Sequence, residues 1–106
     1  MSMPTDVAVD AELLKAIAEP LRLRIVQLLS DEELCVCHLV EALDAAQPLV
    51  SHHLRVLRDA GLVETDRYRY WTYYRLRPEA LAELGIAIAA IAQDTPTAGT
   101  RRRPCC

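Results

Sequence analysis

The sequence predicts a mainly α-helical domain with one small β-hairpin, and three observations carry that expectation. Apolar residues recur at helical spacing through most of the chain. Two short segments rich in aromatic and β-branched residues read as strands with partial alternation. Proline and glycine punctuate the pattern at Pro20, Pro48, Gly61 and Pro78. A length of 106 residues suits one domain, with a core modest enough that association is a common supplement. Residues 1–9 are expected as a flexible N-terminus, 10–93 as the folded unit, and 94–106 as a flexible tail of Thr, Pro, Gly, Ala, Arg and Cys.

Each element has a local reason. Asp10 is placed to cap a first short helix carrying Leu13, Leu14 and Ile17. Pro20 suits the first position of a second, whose stripe is Leu21, Ile25, Leu28 and Leu29. Asp31-Glu32-Glu33 is expected near the start of a third helix, where acids suit the macrodipole, with Leu39, Val40 and Leu43 as its buried face. After a short connection at 44–47, Pro48 starts a fourth helix running to about Ala60. Its Val50, Leu54 and Leu57 point inward, and Pro48, His52, Arg55 and Asp59 point outward. Gly61 suits its C-terminus. Two helices joined by so short a turn, the second polar on its outer side, fit a helix-turn-helix. Strands follow at Leu62 to Arg67 and Tyr70 to Leu76, with Arg67-Tyr68-Arg69 as the tip of a wing. Pro78 opens a fifth helix. Its Leu81, Leu84, Ile88 and Ile91 form a seam suited, with Leu13, to a dimer interface built from the terminal helices.

The net charge of −3 conceals a division. Residues 1–50 hold three Lys/Arg against nine Asp/Glu, whereas residues 51–77 hold six Arg against three acids. Positive charge is therefore concentrated where the fourth helix and the wing can face phosphates. Gln47, Pro48, Ser51, His52 and Arg55 are candidates for DNA contact from the helix. Arg67 and Arg69 are candidates from the wing, interleaved with Tyr68 and Tyr70. His53 flanks the apolar stripe and reads as structural. Arg101 to Arg103 add either non-specific phosphate attraction or simple solvation of the tail. No apolar run is long enough to span a bilayer, and no basic n-region with an apolar h-region opens the chain. The expectation is a cytoplasmic protein without membrane association. Thiols stay reduced there, and four cysteines serve as ligands or redox sensors rather than structural disulfides.

Cys35 and Cys37 lie one residue apart, about a dozen residues before the DNA-reading helix. On a regular helix, residues i and i+2 point to nearly opposite faces. The sequence therefore predicts that both thiolates grip one ion only if the turn bends or unwinds. Soft thiolates select soft ions: trivalent arsenic or antimony, cadmium, lead and zinc. His38, beside the pair, reads as a solvated helix residue, although as a borderline ligand it would suit zinc.

These residues carry a resemblance. Pro20-Leu21-Arg22-Leu23-Arg24-Ile25, Glu33-Leu34-Cys35-Val36-Cys37, Gln47 through Val63 and Trp71-Thr72-Tyr73-Tyr74-Arg75-Leu76 together resemble the ArsR/SmtB family of winged-helix metalloregulatory repressors, of the arsenic and cadmium/lead sensing types. The resemblance covers roughly residues 10–92. It implies a homodimer that binds a palindromic operator and leaves it when metal binds. The chain departs from the family pattern in three ways. Val40 stands where arsenic sensors carry a third cysteine, no cysteine precedes Cys35, and Arg69 stands near a wing position often held by glycine. Cys105 and Cys106 are additions, and a flexible tail has ample reach to bring either sulfur to the pair.

The resulting expectation is a metalloid-responsive repressor, induced by arsenite or antimonite, with Cys35, Cys37, Cys105 and Cys106 as candidate ligands. The alternatives are a cadmium, lead or zinc sensor of the same fold, with four sulfurs around the ion, and a thiol redox sensor. An enzyme is not expected. The three glycines form no anion-cradling loop, and no nucleophile–base–orienter set is visible.

Overall fold

In the computed structural model, residues 8–93, 95, 96, 98 and 99 are described. The order is α1 (Ala11–Ile17), α2 (Pro20–Leu29), β1 (Leu34–Cys35), α3 (Val36–Leu43), α4 (Gln47–Asp59), β2 (Val63–Tyr68), β3 (Trp71–Leu76) and α5 (Pro78–Gln93). The Asp10 carboxylate accepts from the Leu13 N–H at 3.1 Å and caps α1. Glu19 caps α2 in the same way, accepting from the Arg22 N–H at 2.8 Å, with Pro20 in the first turn.

The core is one apolar cluster. It gathers Leu13 and Ala16 of α1, Ile25, Val26 and Leu29 of α2, Leu39 of α3, Val50, Leu54 and Leu57 of α4, Leu62 and Val63 at the root of β2, and Leu84 of α5. Leu39, Val50, Leu57 and Leu62 are wholly inaccessible, so the four-helix layer closes over them. Tyr74 and Leu76 pack against this cluster from β3. α4 ends as its sequence requires. Gly61 takes φ +83°, its N–H donates to Arg58 O at 2.9 Å, and the Leu62 N–H donates to Leu57 O at 3.1 Å. That pair of bonds is a Schellman motif, and it turns the chain directly into β2.

The expected hairpin forms, and four details differ from expectation. The sheet has three strands, in the order β1-β3-β2, all antiparallel. The added strand is only Leu34–Cys35, opposite Tyr74 and Tyr73; two residues carry no periodicity, so pairing with a distant strand alone creates it. Consequently Asp31-Glu32-Glu33 precedes a strand and does not start α3, whose first turn holds no acid. The wing tip is the two-residue turn Arg69-Tyr70, between the facing residues Tyr68 and Trp71. Arg69 itself takes φ +58°, the conformation glycine would have adopted without strain. Finally, Leu13 and Leu84 are buried in the chain's own core, at 6% exposure each. The exposed apolar residues of α1 and α5 are Leu14, Ile86, Ile88 and Ile91, with Leu81 half-buried. The expected tail, with Cys105, Cys106 and Arg101 to Arg103, lies outside the described residues, as does most of the expected N-terminal segment.

Gly61→Ala tests the α4 terminus. An added Cβ would meet only Arg77 Nη1, at 3.8 Å, so the cost is conformational rather than steric. Urea unfolding should show a loss of about 1 kcal/mol; an unchanged midpoint would contradict the positive-φ account.

Candidate functional site

Cys35 does not belong to α3. It is the N-cap, with extended φ −92° and ψ 172°, held so because its backbone pairs with Tyr73 in the sheet. The helix begins at Val36, so the rule that places i and i+2 on opposite faces does not apply to this pair. The two sulfurs already lie 3.0 Å apart. The expectation that the turn must bend or unwind to bring them together is therefore wrong. The bend is built into the strand-to-helix junction.

His38 joins them. The Cys35 N–H donates to its Nδ1 at 3.2 Å, and that ring nitrogen lies 3.3 Å from Cys35 Sγ. The Cys35 side chain accepts in return from the His38 backbone N–H. This is a capping box built from cysteine and histidine rather than serine and glutamate. Ligand atoms of Cys35, Cys37 and His38 all lie within 4.8 Å of one another. Reading His38 as merely solvated missed this. The detectable signal was its place three residues after a capping position. Cys35 is buried, whereas Cys37 and His38 are exposed, so the cluster opens to solvent on one side.

The environment separates the two thiols. Burial alone would push the Cys35 thiol up, but hydrogen bonding from Cys37 and from the backbone N–H groups of His38 and Cys37 outweighs it, leaving Cys35 below its ordinary value. The Cys37 thiol is pushed up by its hydrogen bond to Cys35 and then by desolvation. The two thiols thus share one hydrogen bond, and their titrations are linked. A groove beside the cluster is lined by Glu32, Glu33, Leu34, His38, Glu41 and Tyr73.

On the other side of α3, α4 leaves Gln47, Pro48, His52 and Arg55 exposed and Ser51 half-buried. Arg67 and Arg69 are exposed on the wing, the Arg69 guanidinium lying 5.3 Å from the centre of the Tyr68 ring. Tyr70 is 88% exposed at the tip, and Trp71 meets it edge-on at 6.1 Å. The basic stretch is less available than its composition suggests. Arg75 is committed across the hairpin to Glu64 at 2.9 Å and Asp66 at 3.4 Å, and Arg77 to Glu79 at 3.1 Å. Arg55, Arg58, Arg67 and Arg69 remain exposed. His53 is buried, as the stripe predicts, and accepts from Arg22.

Separating the two thiols by alkylation rate against pH, read by peptide mass, tests the shared proton. With Cys35→Ala, Cys37 should titrate lower than in the native chain, towards an ordinary cysteine. With Cys37→Ala, Cys35 should titrate higher. No movement of either would show that the sulfurs do not interact.

Residues 19–65 match the family described as bacterial regulatory proteins of the arsR family. The chain is 47% identical over 66 residues to the arsenic resistance transcriptional regulator ArsR1 of Pseudomonas putida, a match covering 61% of this chain and 52% of that protein. It is 43% identical over 84 residues to the transcriptional repressor SmtB of Mycobacterium tuberculosis, covering 78% of this chain and 62% of that one. The chain thus spans little more than half the length of these curated relatives. Among solved structures, a possible transcriptional regulator for arsenical resistance is 36% identical with a TM-score of 0.69, covering 80% of this chain and 98% of that one. The homodimeric winged helix-turn-helix domain of Mb0332 from Mycobacterium bovis is 32% identical with a TM-score of 0.65, covering 79% of this chain and 78% of that one. The α3–α4 pair with its three-stranded wing is thus a winged helix-turn-helix, and the chain belongs to the ArsR family of DNA-binding transcriptional regulators.

Proposed function

We propose that this protein is a homodimeric transcriptional repressor that occupies a two-fold operator and leaves it when arsenite is held by Cys35 and Cys37. The observation that carries this reading is the 3.0 Å separation of the two sulfurs at a junction that needs no unwinding. Two sulfurs on one side of the turn can both reach a single soft ion, and an arsenic resistance regulator is among the relatives. The third donor to arsenite would be a sulfur of Cys105 or Cys106, whereas His38, already beside the pair, suits zinc better.

Gln47, Pro48, Ser51, His52 and Arg55 would face the major groove, with Arg67 and Arg69 on flanking backbone or minor groove. In a dimer the two copies of α4 would sit about 34–36 Å apart. The exposed Ile88 and Ile91, with Leu14 and Ile86, offer the apolar surface such a dimer would cover. The signal would act at the junction itself. Cys35 is at once a residue of the sheet that carries the wing and the cap of the helix that packs on α4. Drawing Cys35, Cys37 and a third donor onto one ion loads both DNA-facing parts together. By linkage, operator binding must weaken arsenite binding by the same factor.

A second reading keeps the fold and changes the ion. The groove beside the cluster carries Glu32, Glu33 and Glu41, which favours a divalent cation over neutral arsenous acid, and SmtB is among the relatives. Four thiolates, or two with His38, would then hold cadmium, lead or zinc. No helix among the described residues is long and apolar enough to cross a membrane.

Operator release titrated with arsenite, antimonite, cadmium and zinc under reducing conditions decides between these readings. Arsenite should release the native chain, and the double variant Cys35→Ser, Cys37→Ser should stay bound. Release by cadmium alone would sink the arsenite reading, and release of the double variant would sink both. A chain truncated after Thr100 should need roughly tenfold more arsenite, about 1.4 kcal/mol of lost binding; an identical titration would exclude the tail sulfurs.

A further inference from the structure

One buried group takes no part in the reading above. His53 is 7% exposed in the middle of α4, on the face opposite the DNA-facing residues. Its Nδ1 lies 3.0 Å from Arg22 Nη1. A guanidinium has five donors and no acceptor, so this contact is a bond only when Nδ1 offers a lone pair. The contact therefore requires the neutral tautomer of His53 with its hydrogen on Nε2.

Arg22 ties three helices together. Its Nε donates to Ala16 O at the end of α1, its backbone N–H donates to the Glu19 carboxylate at the cap of α2, and its Nη1 reaches His53 on α4. The groups facing His53 are few. Glu19 Oε1 lies 3.9 Å from Nδ1, Arg22 bears on it from the same helix, and the His52 ring lies 5.2 Å away on α4. From α1 the contact is the Ala16 carbonyl, reached through Arg22, while Glu12, Lys15 and Asp59 line the cleft beyond it.

We propose that the Arg22–His53 pair is a positioning clamp that docks the recognition helix best while His53 is neutral, making operator binding weaken as pH falls through the histidine range. A proton on Nδ1 sets N–H against N–H and places a second cation beside Arg22, where the His53 ring is largely shielded from water. The bond is lost, and either α4 shifts on α2 or Glu19 abandons its cap to compensate. Burial first, then Arg22 and His52, hold the His53 imidazolium below its ordinary range against the opposing pull of Glu19. The sign follows. A depressed histidine leaves the docked state intact above the ordinary value, about 6.5, and erodes it below.

The proposal rests on the DNA-binding reading, and exposed His52 makes the test sharp. Protonating a DNA-facing histidine strengthens attraction to phosphate, so without a clamp acid should tighten binding. The experiment measures affinity by fluorescence anisotropy from about pH 8 to 5.5 at constant salt. The duplex is one selected by the protein itself from a random-sequence pool. Circular dichroism confirms that the chain stays folded across the range. Native affinity should weaken about three- to tenfold across the range. His53→Gln keeps an acceptor for Arg22 but cannot titrate, and its acid-to-neutral ratio should flatten or reverse. Glu19→Gln keeps the cap oxygen and removes the compensating charge, so its acid loss should deepen. A flat or tightening native profile, the same fall in His53→Gln, or an unaltered loss in Glu19→Gln would each overturn the clamp. Failure to bind any duplex at any pH would instead overturn the DNA-binding reading, and the clamp with it.

Discussion

The extended backbone of Cys35 is the constraint on which the site depends. Two hydrogen-bonded residues of β1 place that cysteine outside the helix, and only there can its sulfur fold back over the first turn to meet Cys37 and His38. Were α3 to begin two residues earlier, the same sequence would point its thiols apart. The wing therefore does more than present Arg67 and Arg69. Through Tyr73 and Tyr74 it sets the geometry of the sulfur pair, so the wing's sheet and the turn that carries both sulfurs are one mechanical unit.

The recognition helix is held from three sides. Val50, Leu54 and Leu57 anchor it in the core, the Gly61 turn fixes its C-terminal end to β2, and Arg22 fastens its inner face to α1 and α2 through His53. The first two restraints are indifferent to solution conditions near neutrality. The third is polar and buried, and it is where a small chemical change has leverage, because an unpaired buried donor costs about 1–3 kcal/mol. Charge on the outer surface is sorted in a similar spirit. Arg75 and Arg77 are committed to carboxylates at the root of the hairpin, which leaves cations concentrated on α4 and at the wing tip.

Much of this was legible in the residues. Asp10, Pro20, Gly61 and Pro78 marked helix boundaries because capping and proline chemistry are local, and Val50, Leu54 and Leu57 marked a buried face because helical period is local too. His53 was legible as structural for the same reason, though its partner Arg22, distant in sequence, was not. β1 was illegible. Two residues become a strand only by pairing with Tyr73 and Tyr74, nearly forty positions away. Without it, Cys35 reads as helical, the sulfurs as divergent and His38 as a bystander. The seam on α5 misled in a different way. Leu84 fits a seam for a partner, but its side chain is used by the chain's own core, which leaves Ile86, Ile88 and Ile91 exposed. Periodicity locates an apolar face without saying which neighbour covers it.

The account stands on a turn that is bent before any ligand arrives. Backbone chemical shifts of residues 34–43, 47–59 and 73–74, recorded before and after one equivalent of arsenite, test that most directly. Val36–Leu43 should keep its helical shifts, with changes concentrated at Leu34, Cys35, Cys37 and the facing Tyr73 and Tyr74. Loss of helical shifts through the first turns of α3 would mean that binding unwinds the helix, and the prebent junction would not be the basis of sensing.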